Sequence, residues 1–383
     1  MDQAVAASLS PTVLDWQERV RSAHAHKTPL RIRGGGSKDF YGARLGGEVF
    51  DTRSYSGIIS YEPSELVVTV RAGTALAALE ASLAECGQCL AFDPPHFGPE
   101  ATVGGMVATG LSGPSRAAVG AVRDYILGLE LINGQGELLR FGGQVMKNVA
   151  GYDVSRLMAG AWGTLGLLTD ISLKVLPMQR AQATLYYECT AQQALDKLSA
   201  GAAKPLPINA SLWQQSGDGD QGHLLVRLRG AVAAVQSALD GMGGTMLDHG
   251  QADAAWLACR EQQLPWFSAM DPSHALWRLS LPATTPVLPC TEEGLQPLME
   301  WGGALRWVQA PMQHAQALQA LATSVGGSAV CFRPGPQVGL VASDDFGFTP
   351  ASPALRQVQQ RLKHAFDPHG IFNPGRLGDW ALN

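Results

Sequence analysis

The sequence predicts an α+β chain in three parts: an N-terminal unit over residues 1–178, made of two α/β subdomains (about 1–95 and 96–178), an α+β unit over 179–345, and a C-terminal segment, 346–383, that returns to the first unit. Three observations point there. Short apolar or β-branched runs alternate with one Ala/Leu-rich helical stretch between residues 29 and 90. A second strand-rich run spans 124 to 176 and stops at Pro177. Beyond Pro177 the character shifts to strands and Ala/Gln-rich helices joined by Pro and Gly.

The elements follow in order. Val13 to Ala23 reads as a helix, followed by a polar connector carrying His24 and His26 that reads as solvated. Leu30-Arg31-Ile32 is a strand running straight into Arg33-Gly34-Gly35-Gly36-Ser37-Lys38. Val49 to Asp51, Gly57 to Tyr61 and Leu66 to Val70 are further strands, the last two separated by the turn residues Glu62-Pro63-Ser64-Glu65. Thr74 is placed to cap a helix that ends near Gly87. Consecutive prolines at 94 and 95 exclude a regular element there, and Ala101 to Gly113 is small residues almost throughout.

From 124 the pattern turns regular again. Ile126 to Ile132 and Leu138 to Phe141 are strands joined by Gly134-Gln135-Gly136; Tyr152 to Met158 is helical; Leu167 to Leu176 is a long strand. In the second unit Leu224 to Leu228 and Leu276 to Leu281 are strands, and Ala231 to Leu239 and Gln313 to Ala322 are helices. Residues 345–354 read as a linker. Pro353 to Phe366 is an amphipathic helix with basic residues Arg356, Arg361, Lys363 and His364, before the closing motif Asp367 to Arg376.

Composition removes several function classes. A net charge of −5, with no Lys/Arg run interleaved with aromatics, argues against a nucleic-acid surface. The start lacks the basic and apolar regions of a signal peptide, and no apolar stretch approaches a membrane span, which places the chain in the cytoplasm or on the cytoplasmic face of a membrane through a complex. Six cysteines are too few for a disulfide framework, and Cys86-Gly-Gln-Cys89 has no second CxxC to complete a metal or cluster site. Charged residues make up only 16% and glycines number 44, so much backbone packs against a cofactor or partner, or the fold is simply glycine-rich.

Gly34-Gly35-Gly36 after a strand is able to turn several N–H groups into one concavity, which suits a pyrophosphate, although an ordinary tight turn has the same residues. Neither GxGxxG nor GxxxxGK[ST] is present. Thr102, Gly104, Gly105, Thr109 and Ser112 add hydroxyl and backbone donors with little bulk, fit either to lie along a ribityl diphosphate or to make a close helix contact. A third segment comprises Lys147-Asn148-Val149-Ala150-Gly151-Tyr152-Asp153 and Gly160-Ala161-Trp162-Gly163-Thr164-Leu165-Gly166-Leu167-Leu168.

With Arg33 to Ser37, Thr102 to Gly113 and Phe366 to Arg376, these segments resemble the FAD-binding family of vanillyl-alcohol oxidase (PCMH) type and, within it, the FAD-binding subunits of bacterial glycolate oxidases. The resemblance covers residues 29–178 and 364–376; the middle unit follows in order and size. It implies a two-subdomain FAD domain, an α+β cap and a C-terminal segment returning to the flavin. Residue by residue it implies a diphosphate loop at Arg33, Gly34, Gly35, Gly36, Ser37 and Lys38. It places Thr102, Val103, Gly104, Gly105, Ala108, Thr109, Ser112 and Gly113 along the ribityl and flavin, and Pro94, Gly163, Thr164, Leu167, Leu168 and Asn373 at further cofactor contacts. Ser37 stands where relatives with covalent flavin carry histidine, so FAD is expected to be non-covalent.

The His-Gly-His-x-x-Asp-Gly-Asn segment of relatives acting on D-2-hydroxy acids is missing, and no metal is expected. The resemblance therefore implies a subunit working with a second flavin-containing subunit and an iron–sulfur subunit on a small 2-hydroxy acid. Two rivals stay open: a free-standing FAD-dependent 2-hydroxy-acid dehydrogenase, and a flavin-free scaffold. For the first, a cation must clamp the carboxylate; Arg278 and Arg333 are the candidates, with Trp277 or Trp266 walling a flavin face.

Overall fold

The structure, a computed structural model, describes residues 10–42, 46–143, 154–217, 219–288, 297–337, 348–349 and 351–378. Helix α1 (Pro11–His26) starts with Pro11, whose fixed φ suits a first turn, and ends at Lys27 in the left-handed region. Val13, Trp16, Val20 and Ala23 recur at helical spacing and form one buried face. That face lies on β1 (Leu30–Arg33) and β2 (Glu48–Asp51), which pair in parallel. Trp16 sits edge-on to Phe50, ring centres 5.5 Å apart.

Next come β3 (Ile58–Glu62), β4 (Val67–Arg71), α2 (Leu76–Glu85), β5 (Gln88–Cys89), α3 (Val103–Thr109), α4 (Arg116–Val119), β6 (Ile126–Ile132), β7 (Leu138–Gly142), α5 (Val154–Met158), β8 (Leu167–Lys174) and β9 (Leu176–Pro177). Their main sheet is antiparallel, in the order β3-β4-β8-β6-β7. β4 and β8 are buried almost end to end because the core of α2 and α3 covers them.

This pairing corrects the subdomain division near residue 95. β3 and β4, assigned from the sequence to the first subdomain, hydrogen-bond into the same sheet as β6, β7 and β8. α1, β1 and β2 stand apart from it, and β5 and β9 pair as a separate two-stranded sheet. One local reading also changes. Thr74 is not the cap of α2: Ala75 holds that position, and the Thr74 hydroxyl donates to the Arg71 carbonyl at 2.7 Å. Thr102 caps α3, its Oγ1 accepting from the Gly105 N–H at 3.1 Å, so Val103–Thr109 of the small-residue stretch is a short helix.

The remaining elements are β10 (Ala181–Thr190), α6 (Ala191–Ala202), β11 (Ile208–Gln215), β12 (Gln221–Gly230), α7 (Val232–Met242), β13 (Thr245–Met246), α8 (His249–Arg260), α9 (Pro265–Ser268), β14 (Ala275–Ser280), β15 (Leu298–Glu300), β16 (Leu305–Ala310), α10 (Ala315–Ser324), β17 (Ser328–Arg333) and α11 (Pro353–Phe366). Strands β10 to β17 form one antiparallel eight-stranded sheet, in the order β13-β10-β12-β11-β15-β16-β14-β17. Its join to the five-stranded sheet includes a charged cluster: Arg227 donates to Asp93, Ser115 and Asn209, and Arg229 lies 3.5 Å from Asp93. Burial pushes the Asp93 carboxyl up, and the two arginines outweigh that and hold it below its ordinary value.

After α11 the chain returns to β1. Leu30 donates to the Ile371 carbonyl at 2.7 Å, and Asn373 donates back to Leu30 at 2.9 Å. Lys363, read from the sequence with the basic residues of an amphipathic helix, is in fact buried. Its ammonium donates to the Thr164 carbonyl, the Asp367 carboxylate and the Phe372 carbonyl at 2.7, 2.7 and 3.2 Å. His24 and His26 lie within α1, and His24 stacks on His369, ring centres 4.1 Å apart, rather than standing free in solvent.

Candidate functional site

Where β1 ends, its glycines meet the segment leading into α3. A Cβ on Gly34 would stand 2.3 Å from the Thr102 hydroxyl, and one on Gly35 1.6 Å from the Glu100 carbonyl oxygen. These two positions are bare because two stretches of chain touch there. Gly36 is bare for another reason, a φ of +72°. Beside the contact opens a cavity of about 880 Å³, partly continuous with solvent, running from the glycine loop past α3 to Trp162 and β8.

The donors of this loop point to what fills the cavity. Among the described residues, the N–H groups of Gly34, Gly35, Gly36 and Ser37 donate to nothing in the protein. Those at the start of α3 are already used, Val103 by the Thr74 carbonyl, Gly104 by the Ala72 carbonyl and Gly105 by Thr102. Four free donors in succession make a nest for an anion. The lining also carries Arg31, Arg33, Lys38 and Arg376 against the single carboxylate of Asp39, which both Arg31 and Arg33 contact, at 2.7 and 2.9 Å. Burial pushes Lys38 down to about 8, against the attraction of Glu261, and pushes Arg376 down to about 10, against Asp39. Toward the other end the wall turns apolar, with Ala72, Ala108, Trp162, Leu167 and Leu168. A polyanionic group at one end and a flat ring at the other match this lining.

A second cavity, about 380 Å³, lies on the far side of the segment Thr109–Gly113 and shares no lining residue with the first. Leu111, Ser112 and Gly113 face it from one side; Arg278 on β14, Glu300 on β15, Trp301, Trp307, Phe332 and Cys259 face it from the eight-stranded sheet and α8. Glu300 accepts from the Trp307 indole at 2.7 Å and from the Cys259 thiol at 3.3 Å. Burial pushes its carboxyl up, toward the neutral form. The Trp301 indole donates to the Gly113 carbonyl at 3.0 Å and joins the two halves.

The profile of a family described as FAD binding domain matches residues 11–142. Glycolate oxidase subunit GlcE of Escherichia coli (strain K12) is 44% identical over 360 residues, covering 94% of this chain and 95% of that protein. The chain belongs to the GlcE family of glycolate oxidase subunits. Glycolate oxidase subunit GlcD of Bacillus subtilis (strain 168) is 30% identical over 194 residues, 50% of this chain and 41% of that protein. A solved alkyldihydroxyacetonephosphate synthase superposes over 94% of this chain and 74% of its own with a TM-score of 0.64 at 15% identity, which shows a shared fold.

Membership settles the cofactor class. The chain is an FAD-binding oxidoreductase subunit of α+β, PCMH-type fold, with FAD held non-covalently. The first cavity fits that group, with the free nest and cations at one end and the apolar slot at the other.

Of the residues singled out in the sequence, Arg33, Gly34, Gly35, Gly36, Ser37, Lys38, Thr102, Gly104, Gly105, Ala108, Thr109, Gly163, Leu167, Leu168 and Asn373 all line the first cavity. Pro94, Val103, Ser112, Gly113 and Thr164 do not. Val103 is core, the Thr164 carbonyl is taken by Lys363, and Ser112 and Gly113 line the second cavity. Asn373 serves as a clamp: its amide accepts from the Ile32 N–H at 2.8 Å and donates to the Trp162 carbonyl at 2.7 Å. Arg333 lines neither cavity; it donates to Gln262 and stacks on Phe40. Nor do Trp277 and Trp266 line the first cavity, where the aromatic wall is Trp162, stacked on Tyr41 at 4.2 Å.

Lys147 to Asp153 of the third segment lie outside the described residues. The sequence reading missed Arg31, Asp39, Trp162 and Arg376 as wall residues, although each flanks a glycine motif. Among the described residues no group of three or more His, Cys, Asp or Glu side chains is placed to hold a metal ion, and no helix is long and apolar enough to cross a membrane.

Proposed function

We propose that this chain is the FAD-carrying subunit of a complex that oxidises glycolate to glyoxylate, working with a second flavin-containing subunit and an iron–sulfur subunit that takes the electrons onward. The observation that carries the reading is the nest of four free N–H groups beside an aromatic slot, in a chain similar to a glycolate oxidase subunit over nearly its whole length. Bound FAD supplies a two-electron acceptor for the hydride of an α-hydroxy acid. The chain's own residues hold and shield it. Gly34 to Ser37 would take the diphosphate with Arg31, Arg33 and Lys38 as counter-charge; Thr109, Gly163 and Leu168 would flank the ribityl chain and ring. We take residues 11–178 with the returning segment around 371–376 as the flavin unit and the eight-stranded sheet as its cap.

The test compares the chain alone with the reconstituted complex. The isolated chain is expected to show flavin absorbance near roughly 370 and 450 nm, released to the supernatant by acid, with glycolate-dependent dye reduction appearing only when the partner subunits are added. Full dye reduction by the isolated chain would replace this reading with a free-standing dehydrogenase. A colourless chain that refuses added FAD would leave a scaffold.

A further inference from the structure

We propose that the second cavity is a binding site for a small 2-hydroxy monocarboxylate on this chain itself, with Arg278 as the group that pairs with the carboxylate. Two buried arginines of the cap are satisfied: Arg227 by Asp93, Ser115 and Asn209, Arg306 by three backbone carbonyls. Arg278 differs from both. Among the described residues its guanidinium has no hydrogen-bond or ion-pair partner; it lies over the Trp301 ring, 5.3 Å from the centroid, within electrostatic reach of the Tyr41 hydroxyl and the Glu300 carboxyl. A desolvated cation without a partner is costly, and here it faces an open cavity.

The surroundings make the cavity electropositive. The same Trp301 indole carries Arg116, 4.5 Å from its centroid and likewise without a carboxylate. Glu300 is the one carboxyl on the wall positioned to compensate, and it is engaged with Trp307 and Cys259 while burial favours its neutral form. Glu261, the neighbouring acid, is directed at the backbone N–H groups of His96 and Phe97.

The rest of the lining sets the class of anion. Leu111, Leu305, Trp307, Phe332 and Phe97 are apolar; Glu300, Gln262 and the Ser112 hydroxyl are the polar groups able to meet a hydroxyl, and the further cation on the wall, Arg260, is paired with Glu261 at 2.8 Å. A dicarboxylate would set its second charge against an aromatic wall or Glu300. One carboxylate with one hydroxyl is the complement. The site stands across Thr109–Gly113 from the first cavity, so that its anion is an oxidisable substrate rests on the proposed function; that the site binds an anion does not.

The experiment is a titration of the full chain, with its flavin, followed by tryptophan fluorescence, since Trp301 and Trp307 line the site, and by calorimetry. Glycolate is expected to bind saturably and uncharged glycolamide not at all. Arg278→Met is expected to weaken glycolate at least tenfold with the flavin spectrum and melting temperature unchanged, and Arg278→Lys to weaken it less. Glycolate binding as tightly to Arg278→Met as to the parent would overturn the site, as would a parent chain that ignores glycolate or fails to distinguish it from glycolamide. Should Arg278→Met not fold, the parent's discrimination between glycolate and glycolamide decides. Absorbance of the same samples separates the two readings: a yellow chain that ignores glycolate sinks this site alone, and a colourless chain that binds it sinks the flavin reading alone.

Discussion

Gly35→Ala isolates one contact on which the nest depends. Gly35 has no positive φ, so alanine is acceptable to the backbone and the change acts through space alone. Its Cβ would lie 1.6 Å from the Glu100 carbonyl oxygen and 2.7 Å from the Glu100 Cβ. Ordinary contact requires about twice the first distance, so the loop and the segment before Thr102 must part by roughly 1.5–2 Å. Such overpacking costs about 1–3 kcal/mol of stability. The same displacement takes converging N–H groups out of line; two charge-assisted hydrogen bonds lost amount to about 3 kcal/mol, or roughly a hundredfold in FAD affinity. Gly46→Ala is the control, on the same cavity wall with no atom within 4 Å of the added methyl. It is expected to change stability by less than about 0.5 kcal/mol. FAD is titrated into the flavin-stripped chain by fluorescence quenching, and melting is followed in parallel. If Gly35→Ala binds FAD as tightly as Gly46→Ala, loop-to-loop contact does not shape the nest and the reasoning fails.

Lys363→Met should destabilise by about 3–5 kcal/mol, because it strands the fully buried Asp367 carboxylate, and Lys363→Met with Asp367→Asn should recover part of that; equal melting temperatures for single and double variants would count against the coupling. Asp93 has a depressed folded-state value, so its contribution is present above the ordinary carboxylate range and lost as pH falls through the depressed value; Asp93→Asn should lower the melting temperature near neutrality and flatten its decline below about pH 4, and parallel curves for the two proteins would contradict this. Lys38 loses its charge near 8, so FAD affinity should fall as pH rises through about 8 and FAD uptake just above that pH should take up protons, measured as buffer-dependent heats; Lys38→Met should show neither.

Local patterns in the sequence carried the elements well where one face is buried. Ile126–Ile132 and Pro353–Phe366 end at the bounds the pattern sets, since alternation and a capping Ser352 with Pro353 are short-range signals. Strand partnership was not legible. Nothing in Val67–Arg71 says that its neighbour is Leu167–Lys174, a hundred residues on. Half of the first cavity could be read because glycines announce close approach, yet Arg31 and Arg376 look like any surface arginine until the chain ends are brought together. The second cavity was nearly invisible: Glu300, Cys259 and Trp307 belong to no motif and meet only through the fold, β15 lying beside β16 and the end of α8 bringing Cys259 to Glu300.

The clamp between Asn373 and Ile32 spans 341 residues of chain. At a synthesis rate of about 5–20 residues per second, the first wall of the flavin cavity waits roughly 20–70 s for the residue that braces it. Over that interval β1 has α1 and β2 on hand, but not the carbonyl of Ile371 or the amide of Asn373 that complete its free edge. The brace is thus the last part of the site to be made, and a chain that stops late in α11 has every glycine of the nest but lacks the Ile371 carbonyl and the Asn373 amide.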